Sequence, residues 1–155
     1  MFKIMRMQSQ VPEVGLDAWR TFLRAHAAVV SEIETDLERR GLIPLTWYDV
    51  LVAISSAPGG RIRMAALAGK LVLTRSGATR LVDKLERARL VRRETAVEDR
   101  RGAFATLTPG GRRALRKAWP AYARGINELF LAHISDRELT TLARALERVR
   151  KAASV

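Results

Sequence analysis

A chain of 155 residues, 48% of them apolar and 28% charged, is long enough for one domain with helical extensions and too apolar for global disorder. Its 28 Lys and Arg against 16 Asp and Glu leave a net charge of +12, for which nucleic acid is the natural polyanionic partner. With no Cys, disulfides, thiol redox sensing and Cys-based metal sites are excluded.

The first fifteen residues hold Lys3 and Arg6 but neither an apolar signal core nor a helical period. Residues 1–15 therefore read as an N-terminal arm, expected to be disordered. No apolar run approaches the roughly 18 residues of a membrane span, so no membrane partner and a cytoplasmic location are expected.

A long helix is predicted from Asp17 to Arg40. Leu16, Trp19, Phe22, Leu23, His26, Val29, Val30, Ile33 and Leu37 make one apolar stripe. At 1.5 Å per residue this helix is about 36 Å long, more than one small domain covers, so its stripe needs a further partner. Gly41 and Pro44 end it. Thr46 is expected to open the next helix, with Asp49 three residues on in an approximate capping box. Val50, Leu51 and Ile54 form its core face. Ala57-Pro-Gly-Gly60 then breaks the chain, and Arg61 and Arg63 follow in a linker, placed to touch DNA phosphates.

From Met64 to Gly102 the pattern reads helix, tight turn, helix, charged β-hairpin. Leu67, Ala68 and Leu71 define the buried side of the first helix, and Val72 and Leu73 make the turn. Thr74 caps the second helix, which runs from Arg75 to about Arg89 and buries Ala78, Leu81, Val82 and Leu85. Arg75, Ser76, Thr79, Arg80, Asp83 and Lys84 are left outward. Two short helices joined this way fit a helix-turn-helix, whose second helix enters the DNA major groove. On that reading Thr74, Arg75, Ser76, Thr79, Arg80 and Lys84 face DNA, with Arg80 suited to a bidentate guanine contact and Lys84 to phosphate. Leu90–Thr95 and Ala103–Leu107 are the strands of the hairpin, and Arg92 and Arg93 lie on its stem. Arg100 and Arg101 sit at its tip, beside Asp99, where a thin finger suits a minor groove.

After the hairpin Thr108 caps a helix and Pro109 takes its first position. Leu115, Trp119, Tyr122, Ile126, Leu129 and His133 form a heptad-like seam suited to a helix partner, interrupted by Pro120. Ser135-x-x-Glu138 is a capping box for a last helix with Leu139, Leu142, Leu146 and Val149 on one stripe. Two terminal seams around one central module imply a homodimer.

Charge follows the same division. Residues 1–60 carry 6 basic and 7 acidic side chains, residues 61–101 carry 12 and 5, and residues 112–151 carry 10 and 4. The excess thus begins where the groove-reading pattern begins. A solvated basic face is the ordinary explanation of a charge run, but here the cations coincide with that pattern.

The run L-T-R-S-G-A-T-R-L-V-D-K-L-E-R-A-R-L-V-R-R-E, followed by E-D-R-R-G-A-F-A-T-L-T-P-G-G, resembles the winged helix-turn-helix of the MarR family of bacterial transcriptional regulators. The resemblance spans Thr46 to Gly111 and is most specific at Asp99, Arg101, Leu107, Thr108 and Gly111. Arg89 stands where many members have Gly. The resemblance implies a mainly α fold with a small β-hairpin wing (α+β). The winged helix-turn-helix DNA-binding domain would occupy residues 46–108, and residues 16–45 and 109–155 the helical dimerisation region. It implies that Asp99 steadies the wing and that Arg101 enters the minor groove. It further implies a dimeric repressor, bound to double-stranded DNA at a pseudo-palindromic operator and released by a small-molecule effector. The effector site would be bordered by the first long helix, the Thr46 helix and the Pro109 helix, with Trp19, His26, Trp47, Tyr48 and Asp49 as candidate lining residues. For Trp19 and His26 packing on the stripe is the simpler role, and for Asp49 helix capping.

No nucleophile elbow, phosphate-cradling loop or His/Glu metal spacing is present, so neither an enzyme, a metal site nor a cofactor is expected. The alternative function is a sequence-tolerant architectural DNA binder using the same basic face.

Overall fold

The computed structural model describes residues 11–71, 74–95 and 103–153, apart from the side chains of Arg75 and Thr95. In chain order these form α1 (Glu13–Arg39), α2 (Leu45–Ser55), a 3₁₀ turn (Pro58–Gly60), β1 (Arg61–Arg63), α3 (Met64–Lys70), α4 (Arg75–Arg87), β2 (Val91–Thr95), β3 (Ala103–Leu107), α5 (Pro109–Leu129), a second 3₁₀ turn (Leu131–His133) and α6 (Asp136–Ala153). The chain divides into two units, one of Ile33–Arg124 and one of Met1–Glu32 with Gly125–Val155.

In the Ile33–Arg124 unit the core is apolar. Val50, Leu51 and Ile54 of α2, Leu67 of α3, Val82 and Leu85 of α4, and Val91, Ala105 and Leu107 of the sheet are all buried together. Helical spacing on α2 and α4 and strand alternation on β3 turn these residues to one interior, as the apolar periods require. The outward positions carry the polar residues.

Three expectations change. The sheet has three strands, ordered β1-β3-β2, where the sequence suggested a two-stranded hairpin after a linker. Arg61 and Arg63 lie on β1, paired with Thr106 and Phe104 of β3, and Ile62 between them is buried. A second change is at the start of α2. It begins at Leu45 with Pro44 in the cap position and no side-chain cap, so Thr46 and Asp49 do not form a capping box. The free N–H of Leu45 is instead taken by Glu34 Oε1 of α1, at 3.1 Å. Third, α1 starts at Glu13, inside the segment expected to be a disordered arm. Residues 1–10 of that arm lie outside the described residues.

Helix ends elsewhere follow their sequence signals. Gly41 adopts φ +62°, and the N–H groups of Gly41 and Leu42 donate to the Glu38 and Leu37 carbonyls, both at 2.9 Å. This double closure is the Schellman arrangement. The same closure ends α4 without a glycine. Arg89 stands at φ +57° while the N–H groups of Arg89 and Leu90 donate to Glu86 and Leu85, both at 2.9 Å. The corner thus keeps its shape with an Arg, at a backbone cost of roughly 1–2 kcal/mol.

Thr108 caps α5 as expected, accepting from the Gly111 N–H at 3.0 Å, and its hydroxyl reaches the Arg89 carbonyl at 2.6 Å. The helix continues through Pro120 and ends at Leu129, which leaves His133 on a 3₁₀ turn rather than on the helical seam.

Asp36 joins α1 to α5 through Arg124 (3.0 Å) and also receives Arg40 (2.8 Å). The Arg40 hydrogen bond holds its carboxyl below the usual range against the opposing effect of burial, with Arg124 assisting. A lowered carboxylate contributes stability above its unfolded value and loses it as pH falls through the folded value. Asp36→Asn should therefore lower Tm at pH 7, and the gap to the parent should narrow as pH falls below the ordinary carboxylate range. Thermal melts across that range check both ends, and a gap independent of pH would contradict the ion pairs as its source.

The other unit exposes its apolar stripe. Trp19, Phe22 and Leu23 are 56%, 42% and 45% exposed, and Leu146 and Val149 of α6 are also exposed. The ring of Phe22 lies 6.1 Å from that of Trp19 and 6.3 Å from that of His26 along α1. Ser135 and Glu138 cap α6, Glu138 accepting from the Ser135 N–H at 2.9 Å and from its hydroxyl at 2.6 Å.

Candidate nucleic-acid interface

The expected helix-turn-helix is α3 and α4. Thr74 Oγ1 accepts the Gly77 N–H at 3.0 Å, fixing the first turn of α4. Ala78, Val82 and Leu85 are buried, so the same 3.6-residue period turns Ser76, Thr79, Arg80 and Lys84 outward, and all four are exposed. Thr74 and Ser76 are within 3.2 Å of each other through their hydroxyls. Arg75 opens α4, but its side chain lies outside the described residues, as do Val72 and Leu73. The wing-tip residues Asp99, Arg100 and Arg101 also lie outside them.

The root of the wing is held to α4 by Arg93. From β2 its Nη2 meets Asp83 Oδ1 at 2.5 Å and donates to the Thr79 carbonyl at 3.2 Å, while Nη1 is 3.5 Å from Glu86 Oε2. The Arg93 N–H donates to Glu86 Oε1 at 3.0 Å. Asp83, which the helical period placed outward, therefore faces the wing. No spacing rule joins Asp83 to Arg93, because the contact depends on how the strand lies across the helix. Arg92, the neighbouring residue, is on the opposite sheet face, paired with Glu94 at 2.6 Å.

Arg61 and Arg63 share the outer sheet face with Phe104. Their guanidinium carbons lie 4.9 and 5.0 Å from the centre of its ring, within cation–π range.

Of the effector candidates, Trp47, Tyr48 and Asp49 are on α2 in the Ile33–Arg124 unit, and Trp19 and His26 are on α1 in the other. Tyr48 is buried edge-on against Tyr122 (4.9 Å between ring centres), and Tyr122 in turn meets Trp119 at 6.2 Å. Trp47 packs half-buried against the core. Asp49 is open to solvent, yet the protein mass around it and, secondarily, Glu34 raise its carboxyl above the ordinary value. Burial, then Asp49, likewise raises the Tyr122 hydroxyl. Trp119 and Tyr122 read in sequence only as members of a helix seam. Their spacing of three could not reveal that Tyr122 meets Tyr48.

Among the described residues no group of His, Asp and Glu is arranged to hold a metal ion, and no helix is long and apolar enough to cross a membrane.

A family model described as the MarR family matches residues 41–102, from the end of α1 to the wing loop. The uncharacterised HTH-type transcriptional regulator YkoM of Bacillus subtilis is 30% identical over 137 residues, covering 87% of each chain. Among solved structures, AbsC of Streptomyces coelicolor, a MarR family transcriptional regulator, superposes with a TM-score of 0.85 at 32% identity, over 92% of this chain and 95% of that one. Sco3205 of the same organism, a MarR family regulator solved in complex with DNA, gives 0.87 at 26% identity, over 94% and 91%.

Proposed function

The chain belongs to the MarR family of transcriptional regulators, and from that premise we propose that it is a dimeric, sequence-specific repressor. A small-molecule effector releases it from a pseudo-palindromic operator. The observation that carries this reading is the polar face of α4: Ser76, Thr79, Arg80 and Lys84 exposed on a helix whose other side is locked into the core. A two-fold dimer sets two such helices about one DNA turn apart, hence the inverted repeat. The exposed apolar residues Trp19, Phe22 and Leu23 of α1 and Leu146 and Val149 of α6 support a second copy as the partner, since an apolar helix face gains by packing on an equivalent one.

In this reading Thr74, Arg75, Ser76, Thr79 and Arg80 meet base edges or adjacent backbone, Lys84, Arg61 and Arg63 meet phosphate, and Arg100 and Arg101 enter the minor groove beside Asp99. Within the Ile33–Arg124 unit, Trp47, Tyr48 and Asp49 serve the effector. The raised Asp49 carboxyl supports a polar anchor there, because a carboxylate that has lost part of its hydration gains by meeting a hydrogen-bond donor.

The division between base and backbone contacts is testable by mutation. Arg101→Ala should weaken binding to cognate and scrambled duplexes alike. Arg80→Ala should in addition relax base preference at one position per half-site, by about 1–3 kcal/mol. Competition binding against a set of single-base operator variants reads the difference. Identical losses on every duplex for both variants would contradict it.

A further inference from the structure

Between Ala103 and Asn127 the chain carries five cations, Arg112, Arg113, Arg116, Lys117 and Arg124, and no acid. Two of them are engaged. Arg124 pairs with Asp36 at 3.0 Å, and Arg112 Nη1 donates to the Leu107 carbonyl at 3.1 Å. Arg113, Arg116 and Lys117 are exposed and make no ion pair or hydrogen bond among the described residues. Other helices match their cations on the same helix, Arg20 with Asp17, Arg40 with Asp36, and Arg150 and Lys151 with Glu147. Like charges three and four residues apart repel, so the unmatched row on α5 is a local cost to that helix.

The row faces away from the core. Gly111, Ala118 and Ala121 are the buried residues of α5, and Ala114 and Leu115 pack against the core, which turns Arg113, Arg116 and Lys117 outward. Gly110, Arg113 and Lys117 stand at i, i+3 and i+7, on one line of the helix. At the start of that line a Cβ on Gly110 would lie 3.1 Å from the Arg89 carbonyl oxygen, so Arg89 adjoins it. Arg87 and Arg89 are exposed there and likewise have no ion pair or hydrogen bond from their side chains among the described residues. The cations therefore gather where α4 ends and α5 begins. The 13 residues of α4 span about 20 Å, so this corner is far from the first turn of α4, which is proposed to read the groove.

We propose that Arg113, Arg116 and Lys117, with Arg87 and Arg89 beside them, form a second DNA-binding surface that takes phosphates of the duplex flanking the operator. This goes beyond the operator reading and rests on it. A row of cations with no carboxylate among them suits duplex DNA, which carries one negative charge per about 1.7 Å of axis and needs no base contact to hold it. The arginine forks match phosphate oxygens in pairs. Once α4 lies in its groove the flanking duplex is tethered nearby at high effective concentration, so the contact costs chiefly the bend that brings the duplex to the corner. Affinity and salt sensitivity then rise with the length of DNA on either side of the operator.

The test uses the full-length protein on two duplexes centred on its footprint upstream of its own gene, one of about 20 bp holding two half-sites and one of about 60 bp with two further turns on each side. Each is titrated across a salt series. The parent should bind the longer duplex about tenfold more tightly, with a steeper slope of log K against log salt. Arg113→Gln/Arg116→Gln/Lys117→Gln should abolish that preference and reduce the slope on the longer duplex by about 2 or more. On the shorter duplex it should bind as the parent, because charges about 20 Å away are screened at physiological salt. Arg113→Lys/Arg116→Lys should keep the length preference, since point charges suffice for phosphate. The Gln variant should melt no lower than the parent, whereas a structural role for the row would lower its Tm. If the parent leaves no footprint, the operator reading fails and the inference with it. If the parent footprints but the Gln variant keeps its length preference, the row is a solvated face or serves an acidic protein, and the inference falls. Equal weakening on both duplexes would place these cations at the half-site and also overturn it.

Discussion

Gly111→Ala should cost about 3 kcal/mol and lower Tm by roughly 6–12 °C. A Cβ built on Gly111 would lie 2.1 Å from the Leu90 carbonyl oxygen and 3.0 Å from its carbon. Neither atom can retreat easily. The Leu90 carbonyl accepts the Thr108 N–H at 3.1 Å, and the Thr108 hydroxyl contacts it at 3.1 Å. The same hydroxyl caps α5, so a displaced Leu90 disturbs the corner between α4 and the wing and the start of α5 together. The neighbouring glycine is the control. A Cβ on Gly110 would meet the Arg89 oxygen at 3.1 Å and Thr108 Oγ1 at 3.4 Å. That crowding is mild enough for the roughly 1 kcal/mol gain in helix propensity to offset it. Thermal melts of both variants at one fixed protein concentration make the comparison. Equal stability of Gly111→Ala and the parent would mean that the start of α5 does not approach the Leu90 backbone as closely as described.

The second large effect is on DNA binding. Arg93→Ala should weaken binding at least tenfold on any duplex, about 1.4 kcal/mol, while lowering protein stability by only about 1 kcal/mol. The side chain links β2 to the Thr79 carbonyl and to Asp83 and Glu86, so it sets the angle between α4 and the wing. Its removal also leaves two carboxylates three residues apart on the helix proposed to face DNA. Both are more than a third exposed, at 35% and 39%, which is why the stability cost is small. Arg93→Lys should recover only part, since an ammonium cannot hold the carboxylate and the carbonyl with one planar fork. Combining Arg93→Ala with Asp83→Ala should be no worse than Arg93→Ala alone. Fully additive losses would show that the pair does not act as a unit.

Much of this molecule is legible from local rules. Thr74 and the Thr108-Pro109 pair start their helices through their side chains, and Gly41 ends one through its positive φ, because capping is decided within about five residues. The buried sets of α2 and α4 follow from one period. The readings that failed depend on contacts between distant segments. β1 has a single apolar residue, Ile62, between two arginines, so no period could announce it; it is a strand because β3 pairs with it. The Leu45 N–H is satisfied by Glu34, eleven residues away, which displaced the local Thr46 and Asp49 alternative. At the candidate interface the outward residues of α4 were readable as a face. The contacts that join neighbouring elements there, Arg93 of β2 to Asp83 of α4 and Phe104 of β3 to Arg61 and Arg63 of β1, were not, since each joins two elements whose relative placement no spacing encodes.

The most direct test of the central proposal is binding to the DNA upstream of the protein's own gene against a scrambled duplex, with footprinting and a salt series. Operator-specific regulation predicts a footprint over an inverted repeat and a preference of at least about a thousandfold. Equal affinity for the two duplexes, with binding governed by salt alone, would contradict it and favour a sequence-tolerant architectural role.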